Sequence, residues 1–346
     1  MNAPAKRPVR VAIIDDSAAM RALLGRILRE DPDIEVVGSA PEVDSARALI
    51  KDLNPDVVTL DVEMPGMDGL SFLERIMRLR PMPVVMCSSL TARGASATVE
   101  ALRLGAVDCI AKPLANPLEI AGEADRIRAI VKTAARSRAR ATPSQPVRPV
   151  ASAGGYGDAL IAIGASTGGV EALFQLIPAL AIDCPPVLVV QHMPESFTAS
   201  FASRLDSAAG IRVIEAEDGM LLERGTAYIA PGGPSHMELA PGPARRIRLR
   251  PGEPVGGHRP AVDTLFHSVA RRDVVSVGVI LTGMGDDGAD GLLAMRRAGA
   301  RTFAQSPESC VIYGMPRAAA EAGAVEQHIH LPGMAEAVLR ACRNLK

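Results

Sequence analysis

The chain of 346 residues contains no tryptophan and only three tyrosines and six phenylalanines. Proteins that hold single-stranded nucleic acid stack bases on aromatic side chains, so this scarcity argues against such a surface. The formal net charge is −1, which gives no global field for nucleic acid or an anionic membrane. No apolar run approaches the roughly 18 residues that a membrane span needs, so membrane insertion is not expected. The start, Met1-Asn2-Ala3-Pro4-Ala5-Lys6-Arg7-Pro8, lacks the apolar core of a secretory signal. Five cysteines (Cys87, Cys109, Cys184, Cys310 and Cys342) are odd in number and scattered, with no CxxC or Cys/His metal spacing. Reduced thiols in a cytoplasmic protein are the expectation.

What is there is ordinary globular composition, 48% hydrophobic and 22% charged, in a chain long enough for two cores. The first half alternates strand and helix patterns, which points to a parallel sheet. Strands are expected at Val9–Ile14, Asp33–Val37, Asp56–Leu60, Pro83–Cys87 and Ala106–Ala111. After the first, Met20, Leu23, Leu24, Ile27 and Leu28 follow the spacing of one buried helical face. A last helix is expected from Pro117 towards Ala135, with Leu118, Ile127, Ile130 and Val131 turned inward. From Ser137 to Gly157 the chain becomes Arg, Ala, Ser, Pro and Gly without apolar periodicity, which reads as a linker. Such a segment spans roughly 25 Å as a flexible chain. Its arginines Arg136, Arg138, Arg140 and Arg148 read as solvating it. From Asp158 the strand-helix alternation resumes to the end of the chain.

Strand ends in the first half present Asp15 and Asp16, Asp61, Ser88 and Lys112. Carboxylates gathered at one sheet edge repel unless a cation lies between them, and an oxygen-only ligand set suits Mg²⁺. A metal and a lysine would neutralise charge on a phosphoryl group transferred to Asp61. The Ser88 hydroxyl would then bond the phosphate and draw its loop inward.

Three apolar runs in the second half each deliver one chemically useful residue. Ala159–Ile163 leads into Gly164-Ala165-Ser166-Thr167-Gly168-Gly169, Val187–Val190 into Gln191-His192, and Val274–Leu281 into Thr282-Gly283-Met284-Gly285-Asp286-Asp287-Gly288. The carboxyl ends of strands in an open α/β sheet line one crevice, so a serine, a histidine and an aspartate can meet there. Gly164–Gly168 fits G-x-S-x-G, a tight strand-to-helix turn that exposes a serine nucleophile. A helix expected over Glu171–Leu180 would put Ser166 at a helix N-terminus, whose N–H groups favour an oxyanion. Of six histidines, only His192 directly follows a strongly apolar strand; His236, His258, His267, His328 and His330 read as surface or packing residues. The carboxylate that fixes a catalytic imidazole has two candidates by position, Asp286 and Asp287.

Residues 9–130 resemble a receiver domain of bacterial two-component response regulators. The likeness rests on Val-Ala-Ile-Ile-Asp15-Asp16-Ser, Leu-Asp61-Val-Glu63-Met-Pro-Gly-Met-Asp-Gly, Ser88-Ser89 and Ala-Lys112-Pro113. It implies a flavodoxin-like, doubly wound parallel sheet, with Asp61 taking phosphate from a histidine kinase. Asp16, Asp61 and the backbone carbonyl of Glu63 would hold Mg²⁺, with Asp15 assisting through water. Receivers commonly carry an aromatic switch residue three positions before the lysine, where this chain has Cys109.

The second half resembles chemotaxis-type protein-glutamate methylesterases, the CheB family. The matching segments are Ile-Gly-Ala-Ser166-Thr-Gly-Gly, Val-Gln-His192-Met-Pro, Ala230-Pro-Gly-Gly233, Arg259-Pro-Ala-Val-Asp263 and Leu-Thr-Gly-Met-Gly-Asp-Asp287-Gly. The resemblance implies Ser166, His192 and Asp287 as the catalytic residues, with the Met284 N–H and the Thr167–Gly168 turn supporting the oxyanion. It implies a doubly wound α/β hydrolytic domain with a mainly parallel sheet and no cofactor for the ester chemistry. Its substrate would be methylated glutamates on the cytoplasmic helices of chemoreceptors; some members also deamidate receptor glutamine through the same acyl-enzyme. The expected organisation is a tail over 1–8, a receiver over 9–130, a linker over 131–157 and a catalytic domain over 158–346. The unphosphorylated receiver is expected to cover the crevice, so that phosphorylation opens it. The rival readings are a homologous methylesterase in a non-chemotactic pathway and a receiver-linked, non-enzymatic output module. The second half offers no helix-turn-helix with a basic recognition helix, which disfavours a DNA-binding output.

Overall fold

Apolar runs alternating with amphipathic helices build one parallel sheet in each half of the chain. The structure is a computed structural model that describes residues 7–64, 68–89, 91–112, 117–137, 148–152 and 154–344. Pro65-Gly66-Met67, Pro113, Arg138 and Arg140 lie outside the described residues, as does the side chain of Leu118. The chain divides into two compact units, Met1–Pro143 and Ser144–Lys346.

In the first unit the order is β1 (Val9–Ile14), α1 (Ala18–Arg29), β2 (Ile34–Ala40), α2 (Val43–Leu53), β3 (Val57–Asp61), α3 (Gly69–Leu79), β4 (Val84–Ser88), α4 (Ala92–Arg103), β5 (Asp108–Ala111) and α5 (Pro117–Ala134). The second strand thus begins and ends later than its pattern suggested, because Ile34–Val36 and Gly38–Ala40 find partners on β1 on either side of a register shift at Val37. The parallel sheet runs β2-β1-β3-β4-β5. Helix α1 starts where the Ser17 hydroxyl accepts from the Met20 N–H, an N-cap bond. It buries Leu24, Ile27 and Leu28, each contributing about 1.5–3 kcal/mol of apolar transfer. Met20 and Leu23 are half-buried at the edge of that stripe. On α5, Ile127 and Val131 are buried and Ile130 is half-buried.

The second unit runs β6 (Leu160–Ala165), α6 (Gly169–Leu176), β7 (Val187–Gln191), α7 (Glu195–Ala208), β8 (Arg212–Glu215), β9 (Thr226–Ile229), β10 (Ser235–Leu239), β11 (Ile247–Pro251), α8 (Val262–Ala270), β12 (Ser276–Ile280), α9 (Ala289–Arg297), β13 (Arg301–Gln305), α10 (Met315–Glu321), β14 (Gln327–Ile329) and α11 (Met334–Asn344). Seven strands form a sheet in the order β14-β13-β12-β6-β7-β9-β8, with every pairing parallel. β10 and β11 form a separate antiparallel hairpin. The helix expected over Glu171–Leu180 instead begins at Gly169 and gives way to a 3-10 turn at Ile177–Ala179, where Pro178 lacks an N–H.

Part of the stretch read as linker is docked on this unit. The Val150 N–H donates to the Ala179 carbonyl at 2.9 Å, and Tyr156 is fully buried beneath the Arg343 guanidinium. One aromatic ring outweighs the polar composition around it.

Each winding reverses beside one strand. The chain leaves β1 for β2 on one side and later crosses to β3 on the other; it leaves β6 for β7 and later crosses back to β12. Such reversals open the crevice where α/β sheets hold ligands.

Candidate functional site

In the first unit, the reversal brings together Asp15 after β1 and Asp61 at the end of β3. Oxygen atoms of Asp15, Asp16 and Asp61 lie within 4.8 Å of one another, with Asp15 and Asp61 buried and Asp16 exposed. The Lys112 ammonium sits 2.7 Å from Asp61 Oδ2 and 3.0 Å from Asp15 Oδ2. The Asp61 contact is an aligned hydrogen bond, whereas Asp15 Oδ2 is buried at ion-pair distance without one. Asp61 Oδ1 accepts from the Glu63 N–H at 3.1 Å. Burial pushes the Asp61 carboxyl above its ordinary 3.8, although Lys112 and the Glu63 N–H pull the other way. Burial opposes the charge on Lys112, but Asp61 and Asp15 outweigh it and hold that pKa above its ordinary value. Ser88 is buried, its hydroxyl donating to the Ser89 carbonyl at 3.1 Å. Cys109, at the position the resemblance reserves for an aromatic switch, is buried on β5 with its thiol pKa pushed up by burial.

In the second unit, Ala165 at the end of β6 pairs in register with Gln191 at the end of β7. The next residues, Ser166 and His192, therefore emerge side by side, and the His192 N–H donates to the Ala165 carbonyl at 3.0 Å. The turn after Ser166 needs glycine. Gly168 has φ +77°, and a Cβ there would meet Val311 at 2.5 Å.

Ser166, expected at a helix N-terminus, stands just ahead of one, so its own N–H is not among the free groups there. That N–H donates to the Thr282 carbonyl at 3.0 Å, and α6 starts only at Gly169, after the Gly168 N-cap. The turn is pulled onto the end of β12, and Thr282 is the clamp. Its buried hydroxyl lies 3.0 Å from the Thr167 carbonyl and accepts from the Ile312 N–H at 2.9 Å. Gly283 follows, packed so closely that a Cβ would come within 2.8 Å of the Ser166 Cβ. Met284, next in line, is partly exposed at this edge.

His192 Nε2 lies 2.7 Å from Asp287 Oδ2. Asp287 also accepts from the Val262 N–H at 2.7 Å and the Asp263 N–H at 2.8 Å, so two backbone groups at the start of α8 hold it. Burial raises its pKa, yet His192 and those two N–H groups outweigh burial and leave the carboxyl below its ordinary 3.8. An ionised Asp287 only accepts, so Nε2 carries the imidazole proton and Nδ1 keeps a lone pair. Nδ1 is buried and without a hydrogen bond, and Ser166 is not bonded to it in this resting arrangement. Asp286, the alternative that spacing left open, is exposed and meets no imidazole among the described residues.

Several contributors escaped the sequence reading. The buried Gln191 side chain donates from Nε2 to both the Ser166 and the His192 carbonyls, each at 3.0 Å, tying the two strand ends together. His258 is not a surface residue apart from the site; its ring stacks on His192, centroids 3.8 Å apart and planes 7° from parallel. His236 is buried, its Nε2 2.9 Å from the Glu253 carbonyl and its Nδ1 accepting from the Ala261 N–H. The Gln191-His192 sequence could have flagged the amide, since a buried polar side chain at a strand end commonly finds a hydrogen-bond partner. All five cysteines are free and buried, with Cys87, Cys184, Cys310 and Cys342 pushed by burial to about 12, unreactive as thiolates. Among the described residues, no helix is long and apolar enough to cross a membrane.

The family described as CheB methylesterase matches residues 161–338, and the response regulator receiver domain matches residues 11–121. A relative from Caulobacter vibrioides, named protein-glutamate methylesterase/protein-glutamine glutaminase 1, is 52% identical over 335 residues, covering 96% of this chain and 97% of its own. One from Agrobacterium fabrum, named protein-glutamate methylesterase/protein-glutamine glutaminase, is 51% identical over 336 residues and 96% of each chain. The crystal structure of the Thermotoga maritima CheB methylesterase catalytic domain superposes with a TM-score of 0.51 at 36% identity, over 52% of this chain and 97% of that one. The chain therefore belongs to the CheB methylesterase family, in the form that carries an amino-terminal receiver domain.

Proposed function

We propose that Ser166, His192 and Asp287 hydrolyse methyl esters of glutamate on chemoreceptor helices, under control of phosphorylation at Asp61. The observation that carries this reading is the 2.7 Å contact of His192 Nε2 with a buried, backbone-held Asp287, beside the serine of a G-x-S-x-G turn. Ser166 Oγ attacks the γ-carbonyl as its proton passes to His192 Nδ1. The Met284 N–H and the Thr167–Gly168 turn stabilise the tetrahedral oxyanion. The proton then moves from His192 to the leaving oxygen, methanol departs and a glutamyl ester of Ser166 remains. Water, deprotonated by His192, cleaves that ester and returns the proton to Ser166. Asp287 keeps the imidazole in the required tautomer and stabilises the imidazolium. A receptor glutamine enters the same acyl-enzyme with loss of ammonia.

In the first unit, the carboxylate cluster and the unbonded, buried Asp15 Oδ2 fit a small hard cation. Asp15, Asp16, Asp61 and the Glu63 carbonyl would hold Mg²⁺, which when bound neutralises charge on the phosphoryl group. Asp61 accepts the phosphoryl group from a histidine kinase, Lys112 pairs with it, and Ser88 turns from Ser89 to bond it.

The test is methanol release from methylated receptor. Ser166→Ala lowers turnover by at least about 10⁴-fold; near-normal release by that variant overturns the assignment. A small phosphodonor raises the rate of the wild-type chain, and Asp61→Asn removes that rise. Stimulation surviving in Asp61→Asn places the control elsewhere.

A further inference from the structure

The contact between two imidazoles over the candidate site has no role in the reaction as written above. His258 sits at the end of a tight turn. The Val255 and His258 backbones exchange both N–H···O bonds, at 3.0 and 2.9 Å, around Gly256 and Gly257. Both glycines have positive φ, +59° and +82°, the requirement of a two-residue turn of the primed type.

This turn is the tip of a strap from Gly252 to Asp263 that is fastened at both ends. His236 lies 2.9 Å from the Glu253 carbonyl at one end and accepts from the Ala261 N–H at the other. Arg259 donates to the Gly252 and Gly233 carbonyls, both at 2.7 Å. The strap then runs directly into the Val262 and Asp263 N–H groups that hold Asp287. One segment therefore touches both the carboxylate and the imidazole.

The imidazole needs that second hold. His192 has a single side-chain hydrogen bond, through Nε2, while its buried Nδ1 has none. One bond fixes a point on the ring but leaves its plane free to rock about χ2. A flat ring stacked 3.8 Å away and within 7° of parallel removes that freedom. Misplacing a reacting group by about an ångström costs up to 10²-fold in rate.

We propose that His258 is a positioning residue for His192, its ring holding the plane in which Nδ1 presents its lone pair. The inference rests on the reading of His192 as the general base. It requires a flat ring at position 258, not a proton-carrying one, and not a contact with substrate.

The experiment measures kcat and KM for methanol release from methylated receptor by the phosphodonor-treated full chain carrying His258→Ala, His258→Leu or His258→Phe. Ala and Leu are expected to lower kcat about tenfold with KM within twofold of wild type, and Phe to return kcat to within threefold. Leu fills the space without a flat face, so it carries the test if Ala does not fold. Unchanged kcat in Leu, or a rise in KM alone, overturns the proposal. A Phe variant as slow as Leu overturns it too, because the nitrogens and not the plane would then matter. Ser166→Ala is measured in parallel. If it stays active, the general-base reading itself fails; if it is inactive while Leu is normal, only the role of His258 fails.

Discussion

The two crevices are built alike and charged differently. Each lies where the winding of a parallel sheet reverses, and each receives a buried aspartate, from the end of β3 in one and from the turn between β12 and α9 in the other. In the first unit, Asp61 faces a second carboxylate and a lysine, and its carboxyl is raised. In the second, Asp287 faces an imidazole and two backbone N–H groups, and its carboxyl is lowered. The same kind of crevice thus presents one carboxylate under electrostatic stress, suited to accepting a group that recruits cations. It presents the other fully satisfied, suited to holding a partner still. What surrounds the buried carboxylate, not the fold that carries it, decides the chemistry.

The sharpest way to break this contrast is to remove the charge at the satisfied carboxylate. Asp287→Asn is expected to lower kcat roughly 10³–10⁴-fold, because an amide no longer fixes the Nε2-protonated tautomer. Methanol release measures it, and a loss below tenfold would mean that Asp287 only packs. A smaller effect is expected at Gln191, whose amide ties the Ser166 and His192 backbones together. Gln191→Leu takes the side-chain donor from the His192 carbonyl, at a cost of about 1–3 kcal/mol, whereas the Ser166 carbonyl keeps the Gly169 N–H. Turnover should fall about tenfold with KM little changed, and thermal unfolding of the second unit should come earlier; a normal melting curve would remove the clamp.

The smallest effect separates the two carboxylates by sign. Folding lowers the pKa of Asp287, so its stabilisation is complete above 3.8 and is lost as pH falls through the lowered value. Folding raises the pKa of Asp61, so its ionised form costs stability above the raised value, and that cost is relieved as pH falls through it. At pH 7 the Tm of the affected unit should therefore drop in Asp287→Asn and rise in Asp61→Asn, each by a few degrees. On acidification the Asp61 difference closes first. Calorimetry of both variants from pH 7 to pH 4 checks this, and equal signs would refute it.

Much of this was legible beforehand for a simple reason. Val9–Ile14, Val187–Val190 and the runs like them are too apolar to lie anywhere but inside, so the polar residue ending each one must sit at a sheet edge. Asp15, Asp61, Ser166 and His192 follow from that, whereas position left Asp286 and Asp287 open and the family resemblance chose between them. His258 does not, because it lies in a Gly- and Pro-rich loop, and loops are read as surface. The Gly256-Gly257 pair signals a tight turn but says nothing of what the turn leans against. The hairpin of β10 and β11 was missed although Ile247-Arg248-Leu249-Arg250 alternates as a half-buried strand should. The Thr282 clamp that takes up the Ser166 N–H was not legible either, because it comes from a strand distant in the chain.

Tyr156 carries a practical consequence for anyone dissecting the enzyme. A catalytic fragment trimmed to begin at Asp158, where the strand pattern resumes, would delete a fully buried ring and leave a hole about the size of a phenol. Excising a large aromatic from a core costs about 3–5 kcal/mol. Low activity in such a truncation would report a damaged core and not the loss of the regulator, so the cut belongs ahead of Arg148.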